Sequence, residues 1–244
     1  TYREGTDLGA LRRRFSSRYP DLESRWETIE WVCAPLTDIP ALEIAVRGIR
    51  TIFHCAGLID FDPRRSGDLL QTNWEGTKNL VNTALAAGVR TFCHTSSIAT
   101  IGGDGEIASE SDVWDPNRTN AYATSKYLGE MEVWRGGLEG LETVIVNPGV
   151  ILGAGDWERG SGRFFSAVAG GLRYTLPGGT GFVGVRDVVR CMLALTEGGH
   201  TGKRYILVSE NRSYAEVFED IAVALQRPAP KWLLKPWLLE ILWR

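Results

Sequence analysis

Tyr122 and Lys126, in the run Tyr-Ala-Thr-Ser-Lys, stand four residues apart, so on a helix a phenol and an ammonium would share one face. A positive charge near a phenol favours the phenolate and would draw a group that titrates near about 10 toward a range useful for proton transfer. Upstream, Thr95, Ser96 and Ser97 close an apolar strand-like run. A serine hydroxyl beside that phenol could hold a carbonyl or carbinol oxygen. Tyrosine and lysine at helical spacing also describe a solvated surface pair, so the chemistry depends on what positions them.

Short β-branched or aromatic runs at residues 28–33, 51–55, 91–95 and 143–147 predict buried strands. Helical periods lie between them, at residues 41–47, 69–87 and 122–134. This alternation predicts an α/β fold, a parallel sheet covered by helices on both faces. Leu80, Val81, Ala84 and Leu85 form one apolar stripe, and Gly88 is placed to end that helix in the left-handed conformation. Ligands of such sheets bind beyond the carboxyl ends of the strands. His54 to Gly57, Thr95 to Ser97 and Asn147 to Gly149 all occupy such ends, and the tyrosine-lysine helix follows the second. That convergence turns an ordinary spacing into a candidate active site.

The 30 acidic and 27 basic residues are interspersed, for a net charge of −3. No basic stripe offers a nucleic-acid footprint, and no apolar run reaches the roughly twenty residues that span a bilayer. Cys33, Cys55, Cys93 and Cys191 are widely separated and lie mostly in apolar strand-like segments, which reads as reduced core thiols. Together with His54, His94 and His200 they show no ligand spacing, so no metal site is expected. Reduced thiols and the lack of a secretory leader pattern predict a cytoplasmic protein.

Beyond residue 150 two glycine-rich loops, residues 153–162 and 170–181, open a smaller second region. Helices near residues 187–195 and 214–225 and a strand at 204–208 follow. The tail from Trp232 to Trp243 is dense in tryptophan and leucine but poor in basic residues. It is expected to be a helix packed over this region, or against a second subunit in a homodimer, rather than one lying on a membrane surface.

In order, Thr37-Asp38, His54-Cys55-Ala56-Gly57, Asn73 to Gly76-Thr77, Ser96-Ser97 and Tyr122 with Lys126 resemble the extended branch of the short-chain dehydrogenase/reductase superfamily, the NAD-dependent epimerase/dehydratases. The resemblance covers essentially the whole chain. It implies a Rossmann-type doubly wound parallel sheet with a smaller C-terminal substrate-binding region. Residues 1–150 would form the dinucleotide-binding domain, and residues 151–244 the substrate region, with segments returning to the sheet. It implies Tyr122 as general acid or base and Lys126 as the group that lowers its pKa and binds the nicotinamide ribose. Ser97 would orient the substrate oxygen while Ser96 points to the core. His54, Ala56, Gly57, Asn73 and Thr95 would line the cofactor, and Pro148, Gly149 and Val150 would pack beside the nicotinamide ring. For His54 a satisfied core histidine is an equal reading.

The sequence departs from the family in two places. The family's first strand, glycine-rich phosphate loop and first helix are absent: residue 1 falls near the end of the second strand, so the chain reads as starting late, with the neighbours of that strand left unpaired. Pro35 stands where the family usually has an aspartate ahead of Leu36-Thr37-Asp38. Tyr2 occupies the place of the acid that would bond an NAD ribose, and Arg3 follows, which favours NADP over NAD. An ordinary surface arginine is an equal reading of Arg3.

Asn147-Pro-Gly-Val-Ile-Leu-Gly153 resembles the dihydroflavonol reductase and 3β-hydroxysteroid dehydrogenase relatives, which act on apolar carbonyls or secondary alcohols. Sugar-nucleotide relatives carry arginines for the diphosphate after the sixth strand and ahead of the stretch matching Phe182 to Asp187. Neither arginine is here, and desolvating a diphosphate without a cation is costly. Trp157, Phe164 and Phe165 are candidate walls of an apolar pocket. The expected activity is an NAD(P)-dependent oxidoreductase that transfers a hydride between nicotinamide and a small apolar carbonyl or alcohol. A nucleotide-sugar epimerase or dehydratase is the alternative, and a cofactor-binding protein without chemistry a further one. Arg186 is expected to pair with adjacent Asp187.

Overall fold

The computed structural model describes residues 1–102 and 107–234. In chain order its strands are β1 (Thr51–His54), β2 (Thr91–Thr95), β3 (Glu142–Pro148), β4 (Val150–Leu152), β5 (Tyr174–Thr175), β6 (Gly179–Gly184), β7 (Lys203–Leu207), β8 (Glu210–Ser213) and β9 (Trp232–Leu233). The α-helices are α1 (Leu8–Arg18), α2 (Glu23–Trp26), α3 (Ile39–Ala45), α4 (Ser66–Leu69), α5 (Gly76–Ala86), α6 (Ala121–Leu138), α7 (Gly162–Ala169), α8 (Val185–Glu197) and α9 (Tyr214–Ala224). A π-helical turn, Leu70–Glu75, joins α4 to α5.

Strands β1, β2, β3 and β7 make a wholly parallel sheet in that order, with Phe53 opposite Cys93 and Cys93 opposite Val144. Side chains alternate across it. Ile145 joins Leu42, Val81, Ala84, Phe92 and Val133 beneath α3, α5 and α6, while Val144 and Val146 meet Val188 and Met192 of α8 on the other face. Each such fully buried aliphatic side chain contributes about 1.5–3 kcal/mol, and burial on both faces explains the unbroken apolar run of β3. A third cluster, Val168, Phe182, Val217, Phe218 and Ile221, packs α7 and α9 against the small sheet β4-β6-β8.

Local signals set the helix ends. Asp38 caps α3 through the Ala41 N–H (3.1 Å), Asn120 caps α6 through Ala123 (2.9 Å), and Ser213 with Glu216 forms a capping box on α9. Gly88, at φ +69°, follows α5 in the left-handed region expected of it.

Several expectations fail here. Residues 28–33 are not a strand: Cys33 alone pairs, in an isolated parallel bridge to Tyr2, with the Tyr2 N–H on the Val32 carbonyl and the Ala34 N–H on the Tyr2 carbonyl (2.9 Å each). A β-branched run becomes a strand only where a neighbour offers a ladder, and here one residue does. Likewise β1 has β2 as its one strand neighbour among the described residues. Trp232–Leu233 is not the start of a helix but pairs with β5, because the free edge at Arg173 to Thr175 takes its backbone bonds. Residues 235–244, the rest of the expected tryptophan- and leucine-rich helix, lie outside the described residues. Of the expected core thiols Cys93 is buried, whereas Cys33, at the isolated bridge, and Cys55, just past the end of β1, are exposed. No helix among the described residues is long and apolar enough to cross a membrane.

Candidate active site

Strand β2 delivers Thr95, Ser96 and Ser97 to the same end of the sheet at which β1 delivers Cys55, Ala56 and Gly57 and β3 delivers Pro148. The backbone stays extended through Ser97 (φ −158°, ψ 152°), so successive side chains diverge. Ser96 is buried and donates to Glu130 (2.6 Å). Ser97 accepts the Ala99 N–H (3.1 Å), and its carbonyl accepts the Thr100 hydroxyl (2.8 Å), which closes a 3-10 turn over Ile98–Thr100.

Tyr122 lies in the first turn of α6, with the ring of Phe61 edge-on at 5.6 Å. Burial pushes its phenol upward, and a hydrogen bond from Ser97 pulls it back. The net direction is up, opposite to the shift expected from the lysine. The reason is geometric: the Lys126 ammonium is turned to the Thr95 carbonyl (2.8 Å), where it holds the end of β2. Lys126 itself is buried, and desolvation lowers it to about 8 against the opposing pull of Glu130 and Cys55.

Thr95, Ser97, Tyr122, Lys126 and Gly57 thus come together. A Cβ on Gly57 would lie 3.3 Å from Asn73 Oδ1 and 3.7 Å from Lys126 Nζ, so glycine keeps the space before the ammonium open. Ala56 is exposed beside it.

Other expected cofactor contacts are spent elsewhere. Asn73, buried on the π-turn, accepts the Leu58 N–H (2.7 Å) and donates to the Leu58 carbonyl and Ser125 Oγ (2.9 Å each), so it pins the loop after β1 instead of facing a ligand. His54 is a core histidine. Its Nε2 meets Thr77 Oγ1 (2.9 Å), its ring stacks on His94 at 5.0 Å, and burial holds it neutral, down at about 3. Because the Thr77 hydroxyl donates to the Asn73 carbonyl (2.7 Å), His54 is the donor to Thr77. Gly149 is pressed against β6, where a Cβ would meet the Gly181 carbonyl at 2.2 Å, and Val150 packs into the α7/α9 cluster. Arg3 stands apart, exposed beside the Tyr2–Cys33 bridge.

Of the candidate pocket walls, Phe164 turns inward onto Phe218 (5.3 Å), while Trp157 stacks on Phe165 (5.8 Å). Arg186 does not pair with Asp187, which instead bonds Arg190 one turn on (3.4 Å). Adjacent residues on a helix point apart, and residues three apart meet. Glu130 and Arg204, which sequence reasoning missed, hold the buried polar cluster behind Ser97. The signal available for Glu130 was its place one turn beyond Lys126, an acid on an otherwise buried helix face.

The sequence pattern of the NAD dependent epimerase/dehydratase family matches residues 3–207. Sterol demethylase protein B of Methylococcus capsulatus is 28% identical over 218 residues, 87% of this chain and 66% of its own length. A Synechocystis protein provisionally named dihydroflavonol 4-reductase is 32% identical over 246 residues, 96% of this chain and 70% of its own. Among solved structures, gox2253 superposes with a TM-score of 0.79 at 28% identity, covering 98% of this chain and 71% of that one. The chain therefore spans about two thirds of the length of these relatives.

Proposed function

Since the chain belongs to the NAD dependent epimerase/dehydratase family, we propose that it works as an NADP-preferring oxidoreductase on an apolar carbonyl or secondary alcohol. The observation that carries this reading is the convergence of Ser97, whose hydroxyl is close enough to lower the Tyr122 phenol, with Tyr122 and a buried ammonium one helical turn on, at the strand carboxyl ends. The donor set suits the nicotinamide ribose of a dinucleotide. Lys126 uses one of its N–H bonds on the Thr95 carbonyl, which leaves two for a ribose diol, and Gly57 keeps the approach clear. Bound there, the nicotinamide would supply or accept the hydride. Arg3, exposed and without an ion pair among the described residues, is the cation available to an NADP 2′-phosphate.

Burial keeps the Tyr122 phenol protonated, so it can protonate the oxygen of a carbonyl undergoing reduction and take the proton back in the reverse reaction, while Ser97 holds that oxygen. An uncharged substrate is favoured because the arginines that would clamp a diphosphate after β3 and ahead of Phe182 are missing, and Asn147, wholly buried at the end of β3, spends its amide nitrogen within the protein. One observation supports a second reading, a nucleotide-sugar epimerase: Arg186, exposed at the start of α8, has no ion pair among the described residues.

The experiment is oxidation of NADPH and of NADH against a panel of aromatic and aliphatic aldehydes and ketones. Turnover with NADPH exceeding that with NADH supports the reading. No turnover with any carbonyl, together with interconversion of a UDP-sugar, overturns it.

A further inference from the structure

Behind Tyr122 and Lys126 lies a buried ionic cluster that takes no direct part in the proposed chemistry. Glu130, on α6, is fully buried. Its Oε2 accepts from Ser96 Oγ (2.6 Å) and Asn147 Nδ2 (2.9 Å), and Thr100 Oγ1 lies 2.8 Å away, its one proton shared between this oxygen and the Ser97 carbonyl. Its Oε1 accepts from Arg204 Nη1 (3.2 Å) and Trp134 Nε1 (3.3 Å). Arg204 comes from β7, and its side chain is 14% exposed. Its other nitrogens donate to the carbonyls of Glu110 and Asp112 (2.8 Å each), and the Glu110 carboxylate in turn accepts the Ile206 N–H (2.9 Å). Asn147 also donates to the Ser97 carbonyl (3.2 Å).

We propose that Glu130 and Arg204 are a positioning pair that fixes the Ser97 turn against α6 and ties both to residues 110–112, on the stretch leading to Tyr122. Two lines of reasoning support it. A buried ion pair is a poor source of stability, since a well-packed apolar pair often does as well or better, so its presence is better explained by what it orders. Here its partners come from the turn after β2, from β3, from α6 and from β7, the elements that carry or flank Ser97, Tyr122 and Lys126. Without the carboxylate, Thr100 and Asn147, the two side chains that grip the Ser97 carbonyl, lose their common anchor.

The second line is electrostatic. Lys126 faces Glu130 on its own helix, Cys55 beyond β1, His54 on β1 and His94 on β2. Burial keeps both imidazoles neutral, which leaves Glu130 as the carboxylate that holds the proton on Lys126. The pair therefore sets where the serine sits and opposes the loss of charge that burial imposes on the lysine. Its bearing on catalysis rests on the oxidoreductase reading, but the pair can be tested without it.

The test uses the whole chain with 13C-labelled lysine. The side-chain signal of Lys126, assigned with Lys126→Arg, is followed against pH in the wild type, in the charge-neutral double variant Glu130→Gln/Arg204→Met, and in Glu130→Asp, with amide exchange measured in parallel. In the double variant the Lys126 midpoint should fall by about one pH unit, the scale of a nearby charge. In Glu130→Asp the charge remains and the midpoint should hold. The shortened side chain should instead speed exchange at the Thr100 and Ile101 amides, which close the Ser97 turn, by about tenfold relative to the helices. A folded double variant with an unmoved midpoint overturns the proposal. If the double variant does not fold, unchanged or uniformly raised exchange in Glu130→Asp overturns it. Failure of the wild type to bind NADP or NAD would refute the oxidoreductase reading and leave these two readouts intact.

Discussion

Replacing Gly129 by alanine probes the contact on which the site's geometry depends. Gly129 faces the π-turn from α6, and an added Cβ would lie 2.3 Å from the Asn73 carbonyl oxygen and 3.4 Å from Thr77 Oγ1. Carbon and oxygen normally approach to about 3.3 Å, so helix and turn must part by about 1 Å. Both sides are backbone, and neither can yield by a rotamer change. Overpacking of this kind costs about 1–3 kcal/mol, and two rigid walls place the case in the upper half. Alanine returns about 1 kcal/mol through its better helix propensity. The net loss is about 1–2 kcal/mol, or about 2–8 °C of melting temperature for a chain of this size. The displaced carbonyl is also the acceptor for Thr77, which holds His54, so the damage should reach the sheet. Gly67, in α4 with nothing near its missing Cβ, is the control. Gly67→Ala should melt at or above the wild type by thermal denaturation, and Gly129→Ala below it. A Gly129→Ala protein as stable as the wild type would refute the close approach.

Further outcomes follow from the titrating and exposed groups. Burial lowers folded His54 from 6.5 to about 3, so between those pH values the unfolded chain binds the extra proton and stability falls as pH falls. His54→Gln should flatten the acid limb of a urea stability profile by up to about 1.4 kcal/mol per pH unit, and an unaltered limb would mean the imidazole is not held neutral. Native alkylation read by mass spectrometry should label exposed Cys33 and Cys55 but spare Cys93, which burial raises to about 11. Equal labelling of all three would contradict that burial. UDP- and dTDP-sugars should leave the melting temperature unmoved, whereas a ligand at about a hundred times its Kd would add about 2.7 kcal/mol. A shift abolished by Arg186→Ala would promote the epimerase reading.

What could be read from the sequence was local. The placement of Tyr122 and Lys126 one turn apart on one helix, the inward turn of Ser96 against the outward turn of Ser97, and the left-handed stop at Gly88 all follow from helical or strand periods over a few residues. That the main sheet is parallel followed from the alternation of elements. What escaped was decided by partners far along the chain. Glu130 reads as a helical acid until Ser96, Asn147 and Arg204 arrive from 34, 17 and 74 residues away. Asn73 and His54 occupy the expected positions, but the neighbours that consume their polar atoms, Leu58 and Thr77, decide where they point. The phenol's shift runs upward because burial by surrounding structure outweighs the pull of Ser97, while the lysine that spacing put beside it is turned to the Thr95 carbonyl. Residues 28–33 have strand composition, but a ladder needs a second strand.

The most direct measurement is hydride transfer by Tyr122→Phe, in single turnover with NADPH and the best carbonyl of the panel, beside dinucleotide affinity measured by fluorescence. The phenylalanine keeps the ring and its contact with Phe61 and removes only the phenolic proton donor. The transfer rate should fall by about a hundredfold or more with NADPH affinity nearly unchanged. A variant that reduces the carbonyl at the wild-type rate would contradict Tyr122 as the proton donor and the oxidoreductase site built around it.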